Sequence, residues 1–160
     1  MRVYSTRTRA LASTGGLALS LALLPSTAQA DCLPNTGNTV VTCQVIDTDG
    51  FNASTMNNVT VQVVPGASVL GKLQVGATGA PGTLNNEGII NVGAGSTAVD
   101  AAGGVTINNA AAGPGTIIGN IVMGPTTGTQ VNTFNNLGTG SSVIGNLTSS
   151  GATNFTNNGT

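Results

Sequence analysis

The side chains that could perform acid–base chemistry are few and scattered along this chain. The 160 residues contain no histidine, five acidic residues and four basic residues. General acid–base catalysis needs a positioned histidine or two carboxyl groups close together. Glu87 and Asp100 are 13 residues apart and would share a face if they lay on one repeat, as a glycosidase pair does. Lys72 is the one base outside the first ten residues that could serve a polysaccharide lyase.

Other reactive residue types lack the partners that their chemistry requires. Asp47-Thr48-Asp49-Gly50 resembles part of a calcium loop, but Asn58 stands where the bidentate glutamate belongs, so the segment is predicted to be a polar turn. Nucleophilic catalysis needs a base beside the hydroxyl group, and Ser141, Ser142 and Ser149 have none in the sequence. We therefore predict a non-enzymatic protein with no catalytic, metal or cofactor site, and keep a β-helix polysaccharide-processing enzyme, glycosidase or lyase, as the alternative.

Residues 1–30 have the pattern of a secretory signal peptide. Arg2, Arg7 and Arg9 form a positive start, residues 11–24 are mostly apolar, and Ala28-Gln29-Ala30 fits a cleavage site. A permanent membrane anchor is the weaker alternative, because a spanning helix needs about 20 apolar residues. The sequence thus predicts export.

The two cysteines of the chain follow directly after this segment. In an exported chain, an even number of cysteines favours a disulfide, here between Cys32 and Cys43. A zinc site is improbable with two thiols and no histidine. We predict that residues 31–56 form a disulfide-stapled N-terminal cap and that residues 57–160 form the repeats behind it.

A motif of threonine, an apolar residue and two asparagines recurs through the predicted repeat region. Its copies begin at Thr55, Thr83, Thr106 and Thr133, with a looser copy, Phe155-Thr156-Asn157-Asn158, at the end. The first asparagines are 28, 23, 27 and 22 residues apart. Repeats of this period predict a solenoid whose equivalent side chains stack about 4.8 Å apart. The predicted inner column consists of Met56, Leu84, Ile107 and Phe134.

The asparagine pairs in this motif suit two roles in such a stack. Asparagine tolerates left-handed backbone angles at corners, and stacked amides hydrogen-bond along a ladder.

A second motif keeps a similar period and supports the same fold. Apolar doublets precede Gly71, Gly119 and Gly145 and predict short strands that enter a bend, and one degenerate copy is expected between the first two. Glycine-rich residues 76–82, 93–96, 110–115 and 124–128 are predicted loops. The fold class is therefore all-β, a parallel β-helix (β-solenoid) with coils of about 22–28 residues.

Composition and charge fit this fold and exclude one class of partner. Only 6% of the residues are charged, against roughly 25% in an ordinary globular domain, while 39% are hydrophobic. Beyond residue 30, one basic residue faces five acidic ones, a net charge of −4. Nucleic-acid binding needs a basic surface, so it is excluded. A neutral threonine- and asparagine-rich surface instead suits a stalk, an adhesin or self-association. The further hypothesis of ice binding by threonine ladders is disfavoured, because the Thr-x-Thr sequence Thr127-Gly128-Thr129 does not recur in register.

The chain resembles the N-terminal part of a Gram-negative autotransporter (type V secretion) passenger. The resemblance rests on five features of the sequence, which are the Arg-containing signal peptide, residues 31–43 with both cysteines, residues 47–51, residues 59–69, and the Asn-Asn-x-Gly pieces at 85–88 and 135–138. It implies a right-handed parallel β-helix that crosses the inner membrane and is displayed at the cell surface or outside the cell.

The resemblance also sets expectations for what these residues lack. Such passengers are followed by an outer-membrane barrel with aromatic girdles, which one tyrosine and three phenylalanines cannot supply. We therefore expect the 160 residues to be a truncated piece of a longer protein, periplasmic if the barrel is truly absent. The expected partner is an unidentified host or abiotic surface, and self-association through open solenoid ends is a further expectation.

Overall fold

The computed structural model describes residues 32–110 and 113–159 as strands and turns. The predicted signal peptide, residues 1–30, lies outside the described residues. Within the described ranges there is no helix, and so none that is long and apolar enough to cross a membrane. The strands in chain order are β1 (Leu33–Pro34), β2 (Val40–Cys43), β3 (Ile46–Asp47), β4 (Gly50–Asn52), β5 (Thr60–Val63), β6 (Ser68–Val69), β7 (Lys72–Val75), β8 (Thr83–Asn86), β9 (Ile89–Asn91), β10 (Thr97–Ala101), β11 (Thr106–Asn109), β12 (Thr116–Ile118), β13 (Asn120–Met123), β14 (Asn132–Asn136), β15 (Ser142–Ile144), β16 (Leu147–Ser149) and β17 (Thr153–Asn157).

The strands stack into three sheets, and each turn of the chain contributes one strand to each sheet. In the described part of the chain, sheet A has the order β1-β2-β5-β8-β11-β14-β17, sheet B has β3-β6-β9-β12-β15, and sheet C has β4-β7-β10-β13-β16. All neighbouring strands are parallel except β1, which is antiparallel to β2. Five rungs of three strands result, and β17 begins a sixth. This arrangement confirms the predicted all-β parallel solenoid.

The inner column of sheet A contains three of the four predicted residues. Ile107 pairs with Leu84 on one side and with Phe134 on the other, and all three are buried. The fourth, Met56, was predicted wrongly. Val61 pairs with Leu84, while Met56 is partly buried in the turn between β4 and β5.

The error at Met56 has a physical cause. Thr60-Val61-Gln62-Val63 alternates outward and inward side chains, as a strand with one buried face requires. This alternation determines the strand register more strongly than the residue types of the motif do, because a slip by one residue would turn every side chain to the wrong face of the sheet. At the other end the predicted register was one residue off, because Asn157 pairs with Asn136 rather than with Asn135.

The second motif has the predicted register in full. Val69, Ile90, Ile117 and Val143 form the inner column of sheet B, and the degenerate copy is Ile89-Ile90-Asn91 of β9. Each glycine of the motif lies at the bend between sheets B and C. The glycine-rich segments at 76–82, 93–96 and 124–128 connect strands, as predicted, and so does the described part of 110–115.

The asparagine pairs at 85–86, 108–109 and 135–136 lie in extended strands, whereas the pair at 57–58 lies in a turn, where Asn58 has the predicted left-handed backbone with φ of +52°. The described non-glycine residues with positive φ are Asn38, Asn58 and Ala110. In the three pairs that lie in strands, the second asparagine points inward: Asn86 Nδ2 donates to Asn109 Oδ1 at 2.8 Å, and Asn109 Nδ2 donates to Asn136 Oδ1 at 2.9 Å. The predicted amide ladder is therefore present, and the ladder of these second asparagines is buried.

The N-terminal end is closed by the predicted disulfide between Cys32 and Cys43. Strand β1 pairs with β2, and β2 already pairs in parallel with β5. The first rung therefore begins at Val40, inside the 31–56 segment that was predicted to be a cap.

Candidate interaction faces

The outer surface of sheet A, here called the amide face, carries two parallel rows of neutral polar side chains. One row is Thr60, Thr83, Thr106 and Thr133, and the other is Gln62, Asn85, Asn108 and Asn135. Asn108 Nδ2 donates to Asn85 Oδ1, and Asn135 Nδ2 donates to Asn108 Oδ1, both at 2.9 Å. A primary amide has two N–H donors and two acceptor lone pairs, so each middle amide keeps hydrogen-bonding capacity toward solvent.

The threonine row contains Thr83, Thr106 and Thr133 of the recurring motif, whose register it confirms. Each rung contributes one threonine and not a Thr-x-Thr pair, because the next outward position on the same strand holds an amide side chain. The two rows thus form a regular lattice of hydroxyl and amide groups, and Glu87 lies at its margin beside Gln62 and Asn85.

The outer surface of sheet B, here called the apolar face, has a different chemistry. It consists of two outward positions per rung, two residues apart. On rungs 2 to 5 these are Ser68 and Leu70, Ile89 and Asn91, Thr116 and Ile118, and Ser142 and Ile144. On rung 1, Ile46 is 60% exposed, and among the others Leu70 is 43%, Ile89 44% and Ile144 54% exposed. Contiguous exposed aliphatic side chains on one flat face mark an interaction surface.

This face was missed in the sequence, although the doublets carried the signal. Neighbouring residues of a strand point to opposite sides of the sheet. In Val69-Leu70, Ile89-Ile90, Ile117-Ile118 and Val143-Ile144, one member of each pair must therefore point outward when the other is in the core. A strand with one buried face normally alternates apolar with polar residues. Four doublets in register therefore imply an exposed apolar stripe, which was not predicted from the sequence.

Among the residues that the structure describes, one ion pair is formed, and it lies on sheet C. Lys72 Nζ lies 3.4 Å from Asp100 Oδ2, and Gln74 Nε2 donates to the same oxygen at 3.4 Å. Both charged side chains are over 40% exposed, and exposed pairs of this kind contribute at most about 1 kcal/mol. Asp100 lines a shallow cavity of about 270 Å³ together with Gln74, Ser54 and Thr78.

Glu87 lies away from this cavity. It follows β8 at the corner between sheets A and B, where it lines a separate concavity of about 180 Å³ with Gln62 and Asn85. The structure therefore does not bring Glu87 and Asp100 together, and the candidate base Lys72 is paired with one of the two acids.

Asp47 stabilises the polar turn that was predicted for its segment. Its side chain is buried at the N-terminal end of the sheet B column, opposite Val69. Asp47 Oδ2 accepts from the Cys32 N–H at 2.8 Å, and Oδ1 accepts from the Gly50 N–H at 2.6 Å and the Asp49 N–H at 3.2 Å. The carboxylate therefore satisfies backbone donors that the first rung would otherwise leave unpaired.

Two of the three candidate serines are engaged in turns. Ser141 is buried, and its hydroxyl donates to the Gly138 carbonyl and accepts from the Gly138 N–H. Ser149 Oγ accepts from Asn132 Nδ2 at 2.9 Å. Ser142 lies in the outer row of the apolar face.

Inference about function therefore rests on the geometry of the outer surfaces of the three sheets. No family model, no curated protein and no solved structure matches the chain.

Proposed function

We propose that this chain is a non-enzymatic, exported β-solenoid segment that acts as a structural stalk or an adhesin-like surface. The single observation that carries the proposal is the amide face, where hydroxyl and amide groups repeat in register over four rungs. A periodic neutral face of this kind offers many weak hydrogen bonds to an extended surface and no focus for one small substrate.

The placement of the ionisable groups supports the same proposal. Asp47 is used by three backbone N–H groups, and Asp100 is paired with Lys72, so neither is held ready for proton transfer. The two cavities that contain Glu87 and Asp100 are separate and shallow, whereas a ligand pocket usually encloses most of its ligand.

Export and surface display belong to the proposal as well. The signal-peptide pattern of residues 1–30 and the resemblance to an autotransporter passenger suggest them, and a disulfide between Cys32 and Cys43 suits an oxidising compartment. The partner we propose is a host or abiotic surface, which the amide face would contact by hydrogen bonds.

Polysaccharide turnover by the purified protein and its Glu87→Gln variant separates this function from its enzymatic alternative. We expect no product from either protein. Asp49→Asn is the matched control, because it removes one carboxylate that lines neither cavity. Turnover that disappears in Glu87→Gln and persists in Asp49→Asn would establish a glycan-processing site and overturn the proposal.

A further inference from the structure

The apolar face has a regular pattern of large and small side chains. On each of rungs 2 to 5, one of its two outward positions holds a large aliphatic residue and the other holds a smaller serine, threonine or asparagine. The large residue comes second on rungs 2, 4 and 5, as in Thr116 and Ile118, and first on rung 3, as in Ile89 and Asn91.

This pattern is complementary to itself under one two-fold rotation. If a second copy is turned by 180° about an axis parallel to the solenoid axis, the first position of every rung faces the second position of the same rung in the other copy. Ser68 then lies opposite Leu70 of the second copy, and Thr116 lies opposite Ile118 of the second copy. Each large side chain meets a small one on every one of these rungs, which is the interdigitation that close packing requires.

The charge distribution favours the same occupant. A two-fold symmetric interface brings the same surface of both copies together, so two faces that carry charge of one sign would repel each other. The outward positions of the apolar face carry no charged side chain, and the nearby Asp47 carboxylate points inward. Sheet C, by contrast, presents Lys72 and Asp100.

We propose that the apolar face binds the apolar face of a second copy of this chain, with the two solenoid axes parallel and the rungs level. Five strands at about 4.8 Å spacing and three residues of width give roughly 250 Å² per copy. A stable interface needs about 800 Å² per partner. The pairing is therefore weak and reversible for these five rungs. It does not depend on the adhesive or structural role proposed above.

Sedimentation of the purified protein over a wide concentration range tests the pairing. We expect a mass that rises from monomer toward dimer, and a monomer at all concentrations for Ile89→Lys. Thr83→Lys is the matched control, since it adds the same charge to the same rung on the amide face, and it should associate as the unmodified protein does. Circular dichroism checks that the variants fold. If Ile89→Lys does not fold, Ile144→Lys at the more exposed position replaces it.

Several outcomes would overturn this proposal. An unmodified protein that stays monomeric at millimolar concentration refutes it. Equal association of both lysine variants would place the contact elsewhere, for example at the solenoid ends. Loss of association in Thr83→Lys would assign the contact to the amide face or to a non-specific effect of charge.

Cross-linking distinguishes the proposed orientation from its opposite. With parallel axes, a mixture of the Thr116→Cys and Ile118→Cys variants should form a mixed disulfide in preference to either homodimer. With antiparallel axes, rung 2 would face rung 4, and the mixture of Ser68→Cys with Thr116→Cys would cross-link instead. The second result would refute the level, parallel arrangement.

Discussion

At the scale of single residues, asparagine has two different roles, depending on whether its side chain lies on the outer or the inner side of sheet A. Asn108 and Asn109 are neighbours in β11, and each belongs to an amide ladder. Asn108 lies on the outside, where water can replace a lost partner. Asn109 is fully buried, and besides its ladder contacts its Nδ2 donates to the carbonyls of Gly115 at 3.1 Å and Ser142 at 3.2 Å. Buried amides of this kind tie one rung to the next and fix the register.

The Asn109→Leu substitution should therefore be far more damaging than Asn108→Leu. Leucine branches at the same carbon as asparagine, but it removes the hydrogen bonds that link Asn109 to the amides of Asn86 and Asn136 and to the carbonyls of Gly115 and Ser142. Each buried group that loses its hydrogen bond costs about 1–3 kcal/mol. We expect the free energy of unfolding to fall by roughly 3–5 kcal/mol for Asn109→Leu and by less than about 1 kcal/mol for Asn108→Leu, as measured by urea denaturation. Equal losses in the two variants would contradict the buried ladder.

At the scale of strands and bends, the sequence was sufficient wherever alternation and motif agreed. Leu84, Ile107 and Phe134 were aligned correctly because a threonine precedes each one and an asparagine pair follows it. Met56 was misaligned because the true rung, Thr60–Val63, has glutamine and valine where the later copies have two asparagines. The neutral threonine and asparagine surface was also predicted, but the apolar face was harder to predict, since it depends on which rungs become neighbours, and loops of different length hide that register.

The bend between sheets B and C on rung 4 depends on glycine for space as well as for conformation. Gly119 has φ of +134°, and a Cβ atom built there would lie 2.7 Å from Val92 Cγ2 and 2.8 Å from Ala98 Cβ. Both neighbours belong to rung 3, so the bend of rung 4 packs directly against it. A side chain at this position would push two rungs apart.

Gly119→Ala is accordingly expected to lower the free energy of unfolding by roughly 2–4 kcal/mol, combining backbone strain with overpacking. Gly37→Ala is the matched control. Its φ is not positive, and its nearest contact would be Thr39 Oγ1 at 3.7 Å, an ordinary distance. Thermal denaturation followed by circular dichroism measures both variants. A Gly119→Ala protein as stable as the control would show that the bend can relax.

At the scale of the whole molecule, the described rungs form a one-dimensional stack whose first and last strands are held by different contacts. Each rung contacts its neighbours, so stability is close to a sum of local terms. At the N-terminal end, the disulfide and the Asp47 carboxylate hold β1 and the first rung. At the other end, β17 lies on β14 with Phe155 stacked on Phe134 at 5.5 Å between ring centres, and Phe155 is 58% exposed.

This stacking predicts that damage at one end stays local. The Cys32→Ser, Cys43→Ser double variant loses a cross-link across 11 residues, which is worth about 2–3 kcal/mol. Amide hydrogen exchange in β2, β3 and β4 should therefore accelerate by roughly 30- to 150-fold, since about 1.4 kcal/mol corresponds to a factor of ten. Exchange in β11 and β12 should change little. Phe155→Ser is the mirror-image control, because it should loosen β14 and leave β2 protected. Equal acceleration along the entire solenoid in the double variant would mean that the five rungs open as one cooperative unit, in which case the disulfide stabilises the whole stack rather than its first rung.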